Sequence, residues 1–187
     1  MRYNRLYKDN NFLTPTTYTQ TLSEYTETLR YEDIPADVVE RAKMIMLQTV
    51  GAALAAKGTP IAEKACRMSE EANGGEGGAT SVWGTGKKMA AVNAALALGT
   101  MSDALDWEDC SWTGHPAAGV IPCAWLAAEE KHKSGKDLIT AIVAGYEVYQ
   151  RVALAGRGSI ASYNIFGILP VLMKLMDMDE EQMNQTF

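Results

Sequence analysis

The sequence predicts an all-α fold, an antiparallel bundle of helices joined by short loops. Three observations carry this expectation. Apolar residues recur at i, i+3, i+4 and i+7 along most of the chain, the spacing of one helix face. Breaks containing Gly or Pro (Gly58–Pro60, the NGGEGG run, Gly156–Gly158) separate the periodic segments. Only one short stretch, Thr80–Trp83, reads as extended.

In chain order, residues 1–17 are polar and aperiodic and form an N-terminal arm; residues 18–187 form the helical domain. Leu22, Tyr25 and Leu29 give a short helix over Tyr18–Leu29. Pro35–Ala56 is a long helix: Pro35 suits the first turn, Asp33 stands near as a cap, and Val38, Ala42, Ile45, Met46, Val50 and Ala53 share a face. Ile61–Ala72 is a shorter helix. Lys88–Leu105 is rich in Ala, Leu, Met and Val on every side and reads as a core helix. Ala117–His132 is helical, with Pro122 starting or kinking its regular part. Lys136–Ala155 is the clearest amphipathic helix and ends at Gly156. Asn164–Met176 follows, and Asp179 caps a last helix before Phe187. The count is six to eight helices.

At 187 residues the chain is long enough for one domain with a sizeable core. A net charge of −6 argues against nucleic acid or an anionic membrane surface as the main partner. Met1–Asn11 is too polar for a signal peptide, and no uninterrupted apolar run spans a bilayer. The three cysteines, Cys66, Cys110 and Cys123, are odd in number and lack metal-ligand spacing, so free thiols and a cytoplasmic protein are expected. The run Gly84-Thr85-Gly86-Lys87-Lys88 lacks the full phosphate-loop pattern and the long strand that should precede it.

Candidate chemistry gathers in LDWEDCSWTGHPAAGV, Leu105–Val120. Asp106, Glu108 and Asp109, with Asp103 just upstream, are interleaved with Trp107 and Trp112 and followed by His115 and Pro116. Imidazole both gives and takes protons near neutral pH. Asp106, nine positions before His115, can fold back on the loop to orient the ring or act as its partner. Three other uses of the same residues stay open. The acids and His115 could ligate a metal, although they lack a regular pattern. Cys110 could be a nucleophile. The loop could also be a solvated helix connection with no chemistry.

The run NAALALGTMSDALDWEDCSWTGHPAAGVIPCAWLAAEE resembles the MmgE/PrpD family. So do SGKDLITAIVAGYEVYQRV and ERAKMIMLQTVGAALA, in the family's order. The family includes 2-methylcitrate dehydratase, cis-aconitate decarboxylase and iminodisuccinate epimerase. The resemblance implies the family's helical domain without its α/β lid, a small di- or tricarboxylate substrate, no metal or organic cofactor, and pairing of subunits. It places Asp106 and His115 among the catalytic residues. Two departures stand out: the loop GRGSIASYNIFG lacks the second histidine that members carry there, and Gln48 stands where the first long helix usually has an aspartate. Trp112 and Arg157 are the candidate substrate-binding residues. Two functions follow. The chain is either a dehydratase-like subunit, homo-oligomeric or completed by a chain carrying the rest of the fold, or a non-catalytic scaffold or regulatory relative.

Overall fold

A computed structural model describes residues 17–75, 77–111, 114–156 and 164–186. These form eight α-helices, one 3₁₀ turn and one two-stranded hairpin: α1 (Tyr18–Thr28), the 3₁₀ turn (Tyr31–Asp33), α2 (Ala36–Ala56), α3 (Pro60–Ala72), β1 (Thr80–Val82), β2 (Lys87–Met89), α4 (Ala91–Asp103), α5 (Ala117–Glu130), α6 (Gly135–Ala155), α7 (Asn164–Leu175) and α8 (Glu180–Thr186). The all-α expectation holds. The N-terminal arm, except Thr17, lies outside the described residues.

Local capping chemistry sets several boundaries. Thr17 and Gln20 form a reciprocal capping box at α1, and Ser134 and Asp137 do the same at α6. Thr59 caps α3 with Pro60 in its first turn. At α8 the Asp179 carboxylate accepts the Gln182 N–H at 2.9 Å, as its residue type predicts. Asp33 does not cap α2. Its carboxylate accepts the Arg30 N–H at 3.3 Å and closes the 3₁₀ turn instead, leaving α2 to begin after Pro35 without a side-chain cap.

The hairpin corrects the expected start of α4. Lys87–Met89 pairs antiparallel with Thr80–Val82, in the register Thr80↔Met89 and Val82↔Lys87, so these residues are strand and the helix begins at Ala91. Gly84 and Gly86, at φ +69° and +74°, turn the hairpin. The Thr85 hydroxyl donates to the Val82 carbonyl at 2.8 Å and accepts from the Lys87 N–H at 3.1 Å. Lys57 donates to the Gly84 carbonyl, Lys87 pairs with Glu70 at 2.6 Å and Lys88 with Glu129 at 3.7 Å, so the polar groups of this glycine-rich run are engaged within the fold. Glu129 on α5 fixes the hairpin, accepting the Ser81 N–H at 2.8 Å and its hydroxyl at 2.6 Å.

The core centres on α4, α5 and α6, where Leu98, Met101, Val120, Ile121, Ile142 and Val148 are essentially inaccessible. Helices α6 and α7 cross closely through glycines. A Cβ on Gly145 would lie 2.6 Å from the Gly167 carbonyl oxygen, and one on Gly167 would lie 2.8 Å from Val120. Pro122 and Pro170 sit buried within α5 and α7 and do not end either helix. The expectation that α4 is buried on all sides is only half met: Ala94, Ala97 and Leu98 are fully buried, but Val92 is 77% exposed and Leu96 49%. No helix among the described residues is long and apolar enough to cross a membrane.

Candidate active site

The loop from α4 to α5 is shaped by one left-handed residue and one tight turn. Asp106 has φ 55°, a conformation that Asp tolerates better than most side chains, and its N–H donates to the Asp103 carbonyl at 3.0 Å. Downstream, Ser111 and Gly114 exchange both backbone hydrogen bonds at 2.9 Å. Gly114 adopts φ 137°, which suits a residue without a Cβ. The chain thus doubles back and delivers His115 next to residues 106–108, immediately before α5.

Asp109 secures this arrangement. Its carboxylate accepts the Ala117 N–H at 2.9 Å and the Tyr146 hydroxyl at 3.0 Å. One side chain therefore satisfies an open N–H at the start of α5 and ties the loop to α6. Burial pushes the Asp109 carboxyl above the ordinary range, against the pull of these two donors and of His115. Burial and the neighbouring Asp109 carboxylate drive the Tyr146 phenol upward, so it remains a donor.

His115 lies between two carboxylates. Its Nε2 is 3.5 Å from an Asp106 oxygen, and its Nδ1 is 3.0 Å from a Glu108 oxygen. The partners differ in setting: the Asp106 side chain is 81% exposed, whereas that of Glu108 is fully shielded. Burial raises the Glu108 carboxyl above its usual value; the Asp103 carboxylate adds to this and His115 opposes it. Neither Glu108 oxygen, nor Nδ1 of His115, has an aligned hydrogen bond among the described residues.

The structure therefore brings the expected Asp106 and His115 together and adds a residue the sequence reading had not placed at the ring, Glu108. The alternation of acids with tryptophans hinted that some acids point inward, but not which. Gln48 is a second addition: its amide donates to the Trp107 carbonyl at 2.8 Å and joins α2 to the loop. Trp112 and Arg157 lie outside the described residues. Cys110 is exposed, and its thiol lies 3.5 Å from the Ser111 carbonyl oxygen, with no base to activate it at that contact.

Asp106, Glu108 and His115 bring one potential metal-ligating atom each within 4.8 Å of the others. Asp109 is not available to this group, being committed to Ala117 and Tyr146. The two carboxylates lie closest to different ring nitrogens, Asp106 to Nε2 and Glu108 to Nδ1. The arrangement suits proton transfer better than chelation. Two clefts, of about 440 and 410 Å³, lie elsewhere, lined by residues of α1, α2, α6, α7, α8 and neighbouring turns; no described residue of 103–117 lines either. The His115 side chain is 30% exposed.

Residues 20–187 match the MmgE/PrpD N-terminal domain. The chain belongs to the MmgE/PrpD family. It is 31% identical over 150 residues to cis-aconitate decarboxylase of Aspergillus terreus, a match covering 75% of this chain and 30% of that protein. It is 29% identical over 150 residues to cis-aconitate decarboxylase-like protein oryM of Aspergillus oryzae, covering 75% of this chain and 31% of that protein. The match thus spans about a third of the length of these MmgE/PrpD relatives.

Proposed function

We propose that this chain is the helical part of a cofactor-independent lyase or isomerase acting on a small di- or tricarboxylate, in the manner of 2-methylcitrate dehydratase or cis-aconitate decarboxylase. The observation that carries the reading is the His115 ring set between Asp106 and Glu108 at 3.5 and 3.0 Å, in a chain similar to enzymes named for cis-aconitate.

Such reactions move a proton at a carbon beside a carboxylate. In dehydration the base takes that proton and hydroxide leaves the next carbon. In decarboxylation CO2 departs and the electron pair it leaves is protonated. His115 is the proton carrier in either direction, and Asp106 supports the imidazolium or relays the proton.

A substrate with two or three carboxylates would meet a loop that already holds Asp103, Asp106, Glu108 and Asp109. Like charges at such range repel by about 1 kcal/mol per pair in water and more as water is excluded. Positive groups must therefore come from outside this loop. Arg157 is the candidate within the chain. The remainder comes from a second copy or from the lid portion of the family's fold.

The test is to incubate the chain, alone and with such a partner, with cis-aconitate, citrate and 2-methylcitrate, following the absorbance of the unsaturated acid. Turnover that falls about 10²–10⁴-fold in His115→Ala supports the reading. Turnover in no combination contradicts it. In that case the second reading applies, a non-catalytic scaffold or regulatory relative, which is favoured by the absence of histidine from the loop at 157–163.

A further inference from the structure

Glu108 is the feature of the site that proton transfer by His115 and Asp106 leaves unused. It is a carboxylic acid whose side chain is fully shielded from water, and it gains no aligned hydrogen bond among the described residues. An ionisable group so placed costs free energy unless it has a partner. Nδ1 of His115, 3.0 Å away, is likewise shielded and unsatisfied. The Asp103 side chain and the Glu108 backbone also act on this carboxyl, but the ring nitrogen 3.0 Å away is the basic group that faces it. The last torsion of a histidine side chain is soft, so a small ring rotation aligns them.

We propose that Glu108 is the positioning residue of this site: it holds Nδ1 of His115 as an N–H donor and so presents Nε2, on the Asp106 side, as the atom that exchanges the substrate proton. The proposal rests on the reading of His115 as proton carrier. Two observations support it. The two carboxylates occupy different ring nitrogens, the inner one shielded and the outer one 81% exposed, so only the Nε2 side is open to a substrate. Asp109 also ties the backbone beside the ring, through Ala117 at the start of α5 and Tyr146 on α6, so the stretch that carries His115 is held against the loop that carries Glu108. A buried acid that fixes the tautomer of a working histidine is an established division of labour.

The test is ¹⁵N NMR of the histidine rings in the full chain at neutral pH. The exposed His132 serves as internal reference and is assigned with a His132→Gln variant. The expected result is a His115 ring protonated at Nδ1 with Nε2 unprotonated, while His132 shows the usual solvent mixture. Glu108→Gln should shift His115 towards the Nε2–H form, and Glu108→Asp should keep the native form. Where turnover is measurable, Glu108→Gln should lower kcat about 10-fold or more with little change in KM. A native His115 ring protonated at Nε2 overturns the proposal, and that reading needs no variant to fold. An unchanged tautomer in Glu108→Gln also overturns it. The tautomer is read without substrate, so a chain that shows the expected ring but no turnover refutes the proposed reaction and leaves the role of Glu108 standing.

Discussion

At the scale of single residues, three acids that look interchangeable in the sequence do different work. Asp106 is exposed and faces Nε2; Glu108 is buried and faces Nδ1; Asp109 holds the loop to α5 and α6. Asp109→Ala leaves the Tyr146 hydroxyl and the Ala117 N–H without their acceptor, and should cost about 1–3 kcal/mol in urea denaturation. Tyr146→Phe removes one donor and should cost about 1 kcal/mol. An equal loss in both variants would mean that the α5 contact contributes nothing. The Asp106–His115 partnership was legible because an acid, an imidazole and a loop of suitable length suffice to suggest it. Glu108 was not, because its burial follows from the left-handed turn at Asp106 and the Ser111–Gly114 doubling, and hydrophobic periodicity encodes neither.

At the scale of elements, helix positions were legible wherever a stripe of period 3.6 met a cap. They failed where pairing between segments decided the outcome. Lys87–Met89 adjoins an alanine-rich helix and reads as part of it; the ladder to Thr80–Val82 takes it away. The glycines of α6 and α7 carry a similar lesson. Alanine in a helix interior is favoured over glycine by about 1 kcal/mol, but overpacking costs about 1–3 kcal/mol. With a backbone oxygen 2.6 Å from the added methyl, overpacking wins, so Gly145→Ala should lower the urea midpoint. Exposed Gly51, with nothing within 4 Å, should instead accept alanine with a gain.

Lys174 makes a pH-dependent link between elements. Its ammonium donates to the Thr26 carbonyl at 2.7 Å and the Glu27 carbonyl at 3.3 Å, at the C-terminal end of α1. Burial, with Arg30 nearby, pulls its pKa down from 10.5 to about 8. Above pH 8 the folded chain has released this proton while the unfolded chain still holds it. Unfolding then takes up a proton, and stability from this group rises from about pH 8 to the unfolded value. Lys174→Met should flatten that rise in a series of urea melts; an unchanged slope would assign the rise to other groups.

At the scale of the whole molecule, the fold class was legible and the outer surface was not. From Met44 to Ala56 helix α2 carries no charged residue, and from Ala91 to Ser102 neither does α4. The sequence assigns α4 to the core on every side and gives α2 a single apolar stripe. In the fold they present Met44, Leu47, Leu54, Val92 and Leu96 to solvent, with Trp107 exposed on the loop that Gln48 ties to α2. Exposed apolar side chains on neighbouring elements are the material of contact sites. The chain should therefore associate in solution, and Leu47→Glu should reduce the mass seen by light scattering; a monomeric native chain would contradict this.

The central claim is that His115 moves a proton on a small carboxylate. Its most direct test is hydrogen–deuterium exchange at the carbon beside the carboxylate of citrate or 2-methylcitrate in D2O, followed by NMR with the assembled protein. Label entering that position with the native chain, and about 10²-fold or more slowly with His115→Ala, is the predicted result. Label entering equally fast with both, or with neither, would contradict it.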